Sequence, residues 1–163
     1  MKFTIEAQTV AFNRDILAFI REAGVSADKV IRKTAFDLLA MILRPPPLGK
    51  HPVDTGRARA AWYASMNGLG MNFDLSQGLS GKSQVDKGKR EGDFIEHLGP
   101  EYKQKWVELV NGCPYIIYLE YGHSKLSAPY GMVRVSIRKM RGSEGLPWRM
   151  GKAYREAWNK FDF

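Results

Sequence analysis

The chain has 163 residues, a formal net charge of +8 and a pI near 9.6. Its length is enough for one domain with an apolar core. Its 44% hydrophobic and 26% charged residues are those of a folded globular protein, not of a disordered or membrane-embedded one. The single cysteine, Cys113, excludes an internal disulfide. There is no apolar run long enough to span a bilayer, and Met1–Glu6 lacks a signal-peptide pattern, so synthesis and use inside a cell are expected.

In chain order, residues 1–12 alternate weakly through Phe3, Ile5, Ala7 and Val10, which predicts a short strand. Asn13 is placed to cap a helix carrying Ile16, Leu17 and Ile20 that ends near Gly24. Ser26 is placed to cap a second helix, about 26–44, whose apolar positions keep helical spacing from Val30 to Ile42 until Pro45-Pro46-Pro47 stops it. A turn-rich stretch follows, then a predicted strand over Ala61–Met66 with Trp62 on one face.

Residues 67–105 are rich in Gly, Ser and Lys and read as a long inserted loop or hairpin arm, with Phe94, Ile95 and Leu98 to anchor its far end. Trp106–Val110 reads as a strand and 114–121 as a short helix with Pro114 at its start and Gly122 just past its end. Met132–Met140 alternates Val133, Val135 and Ile137 against Arg134, Ser136 and Arg138, which predicts a half-buried strand. An amphipathic helix over about 147–161 closes the chain. The inventory is that of an α+β fold: one domain over 1–163, its small antiparallel sheet covered by the helices at 26–44 and 147–161.

The motifs argue against enzyme chemistry. Asp54-Thr55-Gly56 has the letters of an aspartic-protease motif, but Arg57 and Arg59 follow it and would depress the carboxyl pKa where proton sharing needs it raised. Nothing local pairs Cys113 with His97 or His123, and the three histidines, with His51, do not fall at metal-ligand spacings. Gly68-Leu69-Gly70 lacks the Lys-Ser/Thr of a phosphate loop. No cofactor is implied. Glu120, in the last turn of its short helix, opposes the helix dipole unless a cation answers it, and Arg57 and Arg134 are the candidates. Lys82, Lys87, Lys89 and Arg90 form a basic stretch suited to DNA-backbone contact without sequence preference, and the last quarter of the chain is also strongly basic.

Two blocks carry a resemblance. Val53-Asp54-Thr55-Gly56-Arg57-Ala58-Arg59 with Trp62 resembles a stretch of the tail-completion (neck, or head–tail connector) proteins of long-tailed bacteriophages. Asn111, Pro114-Tyr115, Leu119-Glu120-Tyr121-Gly122-His123-Ser124, Ala128-Pro129 and Gly131-Met132-Val133-Arg134 are similar, in order and spacing, to the family's second block. The resemblance covers about 26–66 and 106–140 and leaves 67–105 unmatched. It implies a non-enzymatic virion protein, assembled in the host cytoplasm, whose copies close into a ring of six or, alternatively, twelve. The implied partners are portal-side connector proteins, tail-terminator or tail-tube proteins and passing genomic DNA, with no membrane. Asp54, Thr55, Gly56, Arg57, Trp62, Tyr115, Glu120, Tyr121, Gly122, Met132 and Arg134 become the candidate motif and subunit-interface residues, and Lys82, Lys87, Lys89 and Arg90 the candidate channel contacts. The alternative from another class is a stand-alone basic protein that binds nucleic acid non-specifically.

Overall fold

The structure is a computed structural model, and it describes residues 9–43, 55–71, 82–122, 131–141 and 145–160. It is a mixed helix-and-strand fold with a small antiparallel sheet, a long N-terminal helix and a C-terminal helix, as the α+β reading expected. The elements are α1 (Thr9–Leu43), α2 (Arg57–Ala60), α3 (Tyr63–Gly68), α4 (Lys82–Lys89), β1 (Gly92–His97), β2 (Trp106–Asn111), α5 (Ile116–Tyr121), α6 (Val133–Met140) and α7 (Leu146–Trp158).

Helix α1 runs unbroken through Gly24 and Ser26, so the expected break into two helices is corrected, and neither Asn13 nor Ser26 is a cap. The reason is tertiary. α7 lies antiparallel along α1, with Arg149 bonded to Asp37 at 2.6 Å, Trp158 edge-on to Phe19 at 5.2 Å and Lys160 paired with Glu22. The partner helix therefore spans the Gly24 position. The buried small residues Ala23 and Ala27 on α1 and Ala157 on α7 let the backbones approach. The strand expected over 1–12 is a helix from Thr9 onward, and residues 1–8 lie outside the described residues.

Two further expected strands are helices. Ala61–Met66 spans the end of α2 and the start of α3, where the alanine-rich run 58–61 favours helical turns. Met132–Met140 is α6: Val133, Ser136 and Met140 turn inward while Arg134, Arg138 and Lys139 are exposed, a period of 3.6 that the letters also permit. The 67–105 stretch is not one loop. It holds α4 and β1, and β1 pairs with β2 in register from Gly92↔Asn111 to His97↔Trp106. The strand at Trp106, the short helix ending at Tyr121 and the C-terminal helix stand where expected.

The main core joins Leu39, Ile42 and Leu43 of α1 to Trp62, Met66, Leu69 and Met71, with Met132 closing it, and Phe94 and Leu109 present the sheet to the same cluster. A two-stranded sheet is marginal alone, so this cover is what holds it. The α3 side covers β1: Ser65 Oγ donates to Asp93 O at 2.9 Å. There the backbones touch, since a Cβ at Gly92 would sit 1.8 Å from Ala61 O. Gly92→Ala is therefore expected to destabilise by about 1–3 kcal/mol, whereas Gly24→Ala, in open space within α1, is expected to stabilise by about 0.5–1 kcal/mol. Urea midpoints of the two variants against wild type check the pair.

Candidate functional site

The first block folds around a close contact with α4 and the hairpin. Gly56 enters α2 at φ 81°, a left-handed conformation that glycine adopts without strain. Arg57 Nε donates to Glu91 Oε2 at 2.8 Å and Nη2 pairs with Oε1, so the guanidinium grips the carboxylate with two donors. That hydrogen bond holds the Glu91 carboxyl below its ordinary value. Arg57 also lies over the Tyr115 ring at 5.8 Å. Asn111 Nδ2 donates to Ala58 O at 2.8 Å, and its Oδ1 accepts from Cys113 N at 3.1 Å. Ala58, Ala61 and Cys113 form a second small core under Tyr115, Ile116 and Leu119. The two sequence blocks are thus one packed unit. Burial raises the Tyr115 phenol pKa, a hydrogen bond with Cys113 raises it further, and one with Thr55 opposes both.

The second block is organised by Glu120. Its carboxylate meets the N-terminus of α6: Oε2 accepts from Met132 N at 2.7 Å and Val133 N at 2.9 Å, and Oε1 accepts from Arg134 N at 2.9 Å. Arg134 folds back, donating from Nε to Oε1 at 3.1 Å and from Nη2 to Glu120 O at 2.8 Å. These are the first amides of a helix, which have no intrahelical acceptor and carry the positive end of its dipole. Glu120 is only 8% exposed. Burial pushes its carboxyl pKa up, but the three amides and the guanidinium outweigh burial and hold it below the ordinary value. Gly131, at φ 79°, must be glycine here, because a Cβ would lie 2.6 Å from Glu120 Oε1.

Of the two cations expected to answer Glu120, Arg134 does so and Arg57 does not, being held by Glu91. Tyr121 is 64% exposed, with the Arg134 guanidinium 4.4 Å from its ring centre. Gly122 ends α5 at φ 85°. Trp62 and Met132 are core residues. Asp54, His51 and His123 lie outside the described residues. Lys87 of α4 and Arg90 just past its end are exposed and Lys89 sits over the Tyr63 ring at 4.9 Å, while the side chain of Lys82 lies outside the described residues. Lys87 and Lys89 fall in the last turn of α4, where they also suit the helix dipole.

No family model, curated protein or solved structure matches this chain. The arrangement therefore stands on its own chemistry. Among the described residues no group of acidic, His and Cys side chains is placed to hold a metal ion, and no helix is long and apolar enough to cross a membrane. What the geometry does provide is a rigid α5–α6 corner carrying the exposed side chains Ile117 (63%) and Tyr121 (64%).

Several residues that hold this unit escaped sequence reasoning. Glu91 has no local motif. Arg32 reaches both Glu96 and the Gly68 carbonyl, at 2.5 Å, and Arg59 donates to the Leu43 carbonyl at 3.3 Å. Both arginines cap the C-terminal end of another helix across a long sequence gap, which no spacing reveals.

Glu120→Gln is expected to lose about 1–3 kcal/mol of stability at neutral pH, since charged acceptors make the stronger hydrogen bonds. A carboxyl depressed in the folded state stabilises fully above its ordinary value of 4.5 and progressively less as pH falls below it. The gap between wild type and variant should therefore narrow between about pH 4.5 and pH 2. Urea unfolding at neutral and acid pH measures both.

Proposed function

We propose that this chain is a structural subunit of the neck of a long-tailed bacteriophage. Copies associate head-to-tail into a closed ring, six-fold on the resemblance with twelve as the alternative, between the capsid portal and the tail. The ring completes the tail and forms part of the passage for DNA. The reading rests on the two sequence blocks. The observation that carries it furthest is the α5–α6 corner: the second block spends its special residues, Glu120, Gly131 and Arg134, on tying the end of α5 to the start of α6, with Ile117 and Tyr121 of α5 in solvent.

Fixed exposed apolar and aromatic side chains suit a surface whose partner is another protein, because little conformational entropy remains to be lost on binding. The basic residues left on the surface, among them Lys87, Arg90, Arg138 and Lys139, then serve as sequence-indifferent contacts to packaged DNA. The stand-alone nucleic-acid-binding alternative draws on the same charges and requires no oligomer.

A nonsense mutation early in the coding sequence is expected to leave DNA-filled heads and free tails that fail to join, visible by electron microscopy and rescued by the wild-type chain. Joined, infectious particles without the protein would sink the proposal. Ile117→Asp and Tyr121→Ala are expected to lower rescue at least about tenfold, as truncating an interface anchor does, with the melting temperature of the purified chain unchanged. A chain that stays monomeric in every assembly test yet binds duplex DNA with a steep salt dependence would favour the alternative.

A further inference from the structure

The edge of β2 opens onto an unfilled apolar groove. The groove is about 640 Å³ and is walled by α1 (Ile31, Ala35, Leu38), by Val133 of α6 and by Leu146 and Met150 of α7. Its remaining wall includes five consecutive residues, Lys105 to Leu109. Side chains of a strand alternate between faces, so a run that contributes every residue is presenting its edge.

The ladder shows which groups that edge offers. Gly112 N donates to Glu91 O at 2.7 Å. Given the register, the pairs Asp93–Val110, Ile95–Glu108 and His97–Trp106 exchange the ladder bonds. Gly92, Phe94 and Glu96 then point away on the β1 side, where Phe94 N is taken by Asp93 Oδ1 at 2.7 Å. On the β2 side Val107 and Leu109 point their N–H and C=O groups outward, and neither meets a hydrogen-bonding partner beyond the ladder among the described residues. Trp62 also lines the groove, and its buried indole N–H has no partner among the described residues. Half-buried, unpaired backbone groups beside apolar walls are what an added strand satisfies.

We propose that this groove receives residues 1–8 of a second copy of the chain as an added β-strand. Met1-Lys2-Phe3-Thr4-Ile5-Glu6-Ala7-Gln8 alternates apolar with polar residues from Phe3 to Gln8. Leu109 packs towards the main core, whereas Trp106 and Glu108 are exposed. An antiparallel register that sets Ile5 opposite Val107 and Phe3 opposite Leu109 puts both apolar side chains against α1, and puts Thr4 and Glu6 on the solvent face.

The segment cannot do this in its own chain. Twenty-two residues of continuous helix separate Thr9 from Ile31, the nearest α1 residue of the groove, which is about 33 Å. Four extended residues bridge only about 14 Å between Ile5 and Thr9. The contact is therefore between copies. It joins two different surfaces, the type that propagates into rings or fibres. The inference does not rest on the neck reading and stands for any self-associating chain.

The test uses isotope-labelled protein lacking residues 2–8, titrated with a synthetic Met1–Gln8 peptide. Saturable amide shifts and slowed exchange centred on Val107 and Leu109 are expected, with binding weakened at least about tenfold by Ile5→Asp in the peptide, because a charge replaces an apolar contact. No shift at millimolar peptide, or shifts centred on another surface, would overturn the proposal. In the full-length chain, protection of the same two amides is expected to fall on dilution. Protection independent of concentration would mean an intramolecular occupant and would also overturn it. None of these outcomes depends on whether phage particles join, so the two proposals fail separately.

Discussion

One buried carboxylate fixes the architecture of the second half of this protein. Glu120 sits at the end of α5 and its oxygens occupy the N-terminus of α6, twelve to fourteen residues further along the chain. An ionised side chain at 8% exposure is costly unless its acceptor capacity is used. Here three amides and a guanidinium use it, and the same amides would otherwise be unsatisfied donors beside the buried Met132. Each group makes the other's burial tolerable. Arg134 adds a bond to the Glu120 carbonyl, so α5 and α6 are tied through both side chain and backbone. The corner is then rigid without a large core of its own.

The same device appears elsewhere with the sign reversed. Arg32 and Arg59 cover the last carbonyls of α3 and α1, and Arg57 is held by Glu91. Lys105 and the Gly99 amide share Asp28, and Arg149 bonds to Asp37. A good part of the basic residues is therefore spent inside the fold, on helix ends and on carboxylates of distant elements. The net charge of +8 overstates how strongly basic any one face is. Lys87, Arg90, Arg138 and Lys139 are among the exposed cations available to a partner.

The parts of the fold legible from the letters were those where local periodicity and local punctuation agreed. α7 has Pro147 at its start and an apolar stripe, α5 lies between Pro114 and Gly122, and the C-terminal part of α1 has strict helical spacing. Where a distant residue decides, the letters mislead. Val133–Met140 fits period 2 and period 3.6 about equally well, and the Glu120 cap selects the helix. Gly24-Val25-Ser26 has the letters of a break, but a partner helix spans it and outweighs a propensity penalty of about 1 kcal/mol. The strand β1 was hidden because its partners in the ladder come nine to nineteen residues later, after a loop rich in polar residues. Of the candidate site residues, Glu120 and Arg134 were findable as a pair from the dipole argument. The grip of Glu91 on Arg57 was not, because it depends on α4 crossing α2.

These features share a consequence for what such a chain does. Among the described residues the sheet has two strands, below the number that is independently stable, and no described strand lies beyond β2. On α1, Leu17, Ala18 and Ile20 are exposed around Phe19, which meets Trp158 of α7. An open sheet edge is a liability in a protein that works alone, because open edges invite pairing. In a protein that works in multiple copies the same edge is a place for a neighbour to pair. For the proposed association of copies, a fixed angle between successive subunits is the condition for a ring to close and not to grow as a filament.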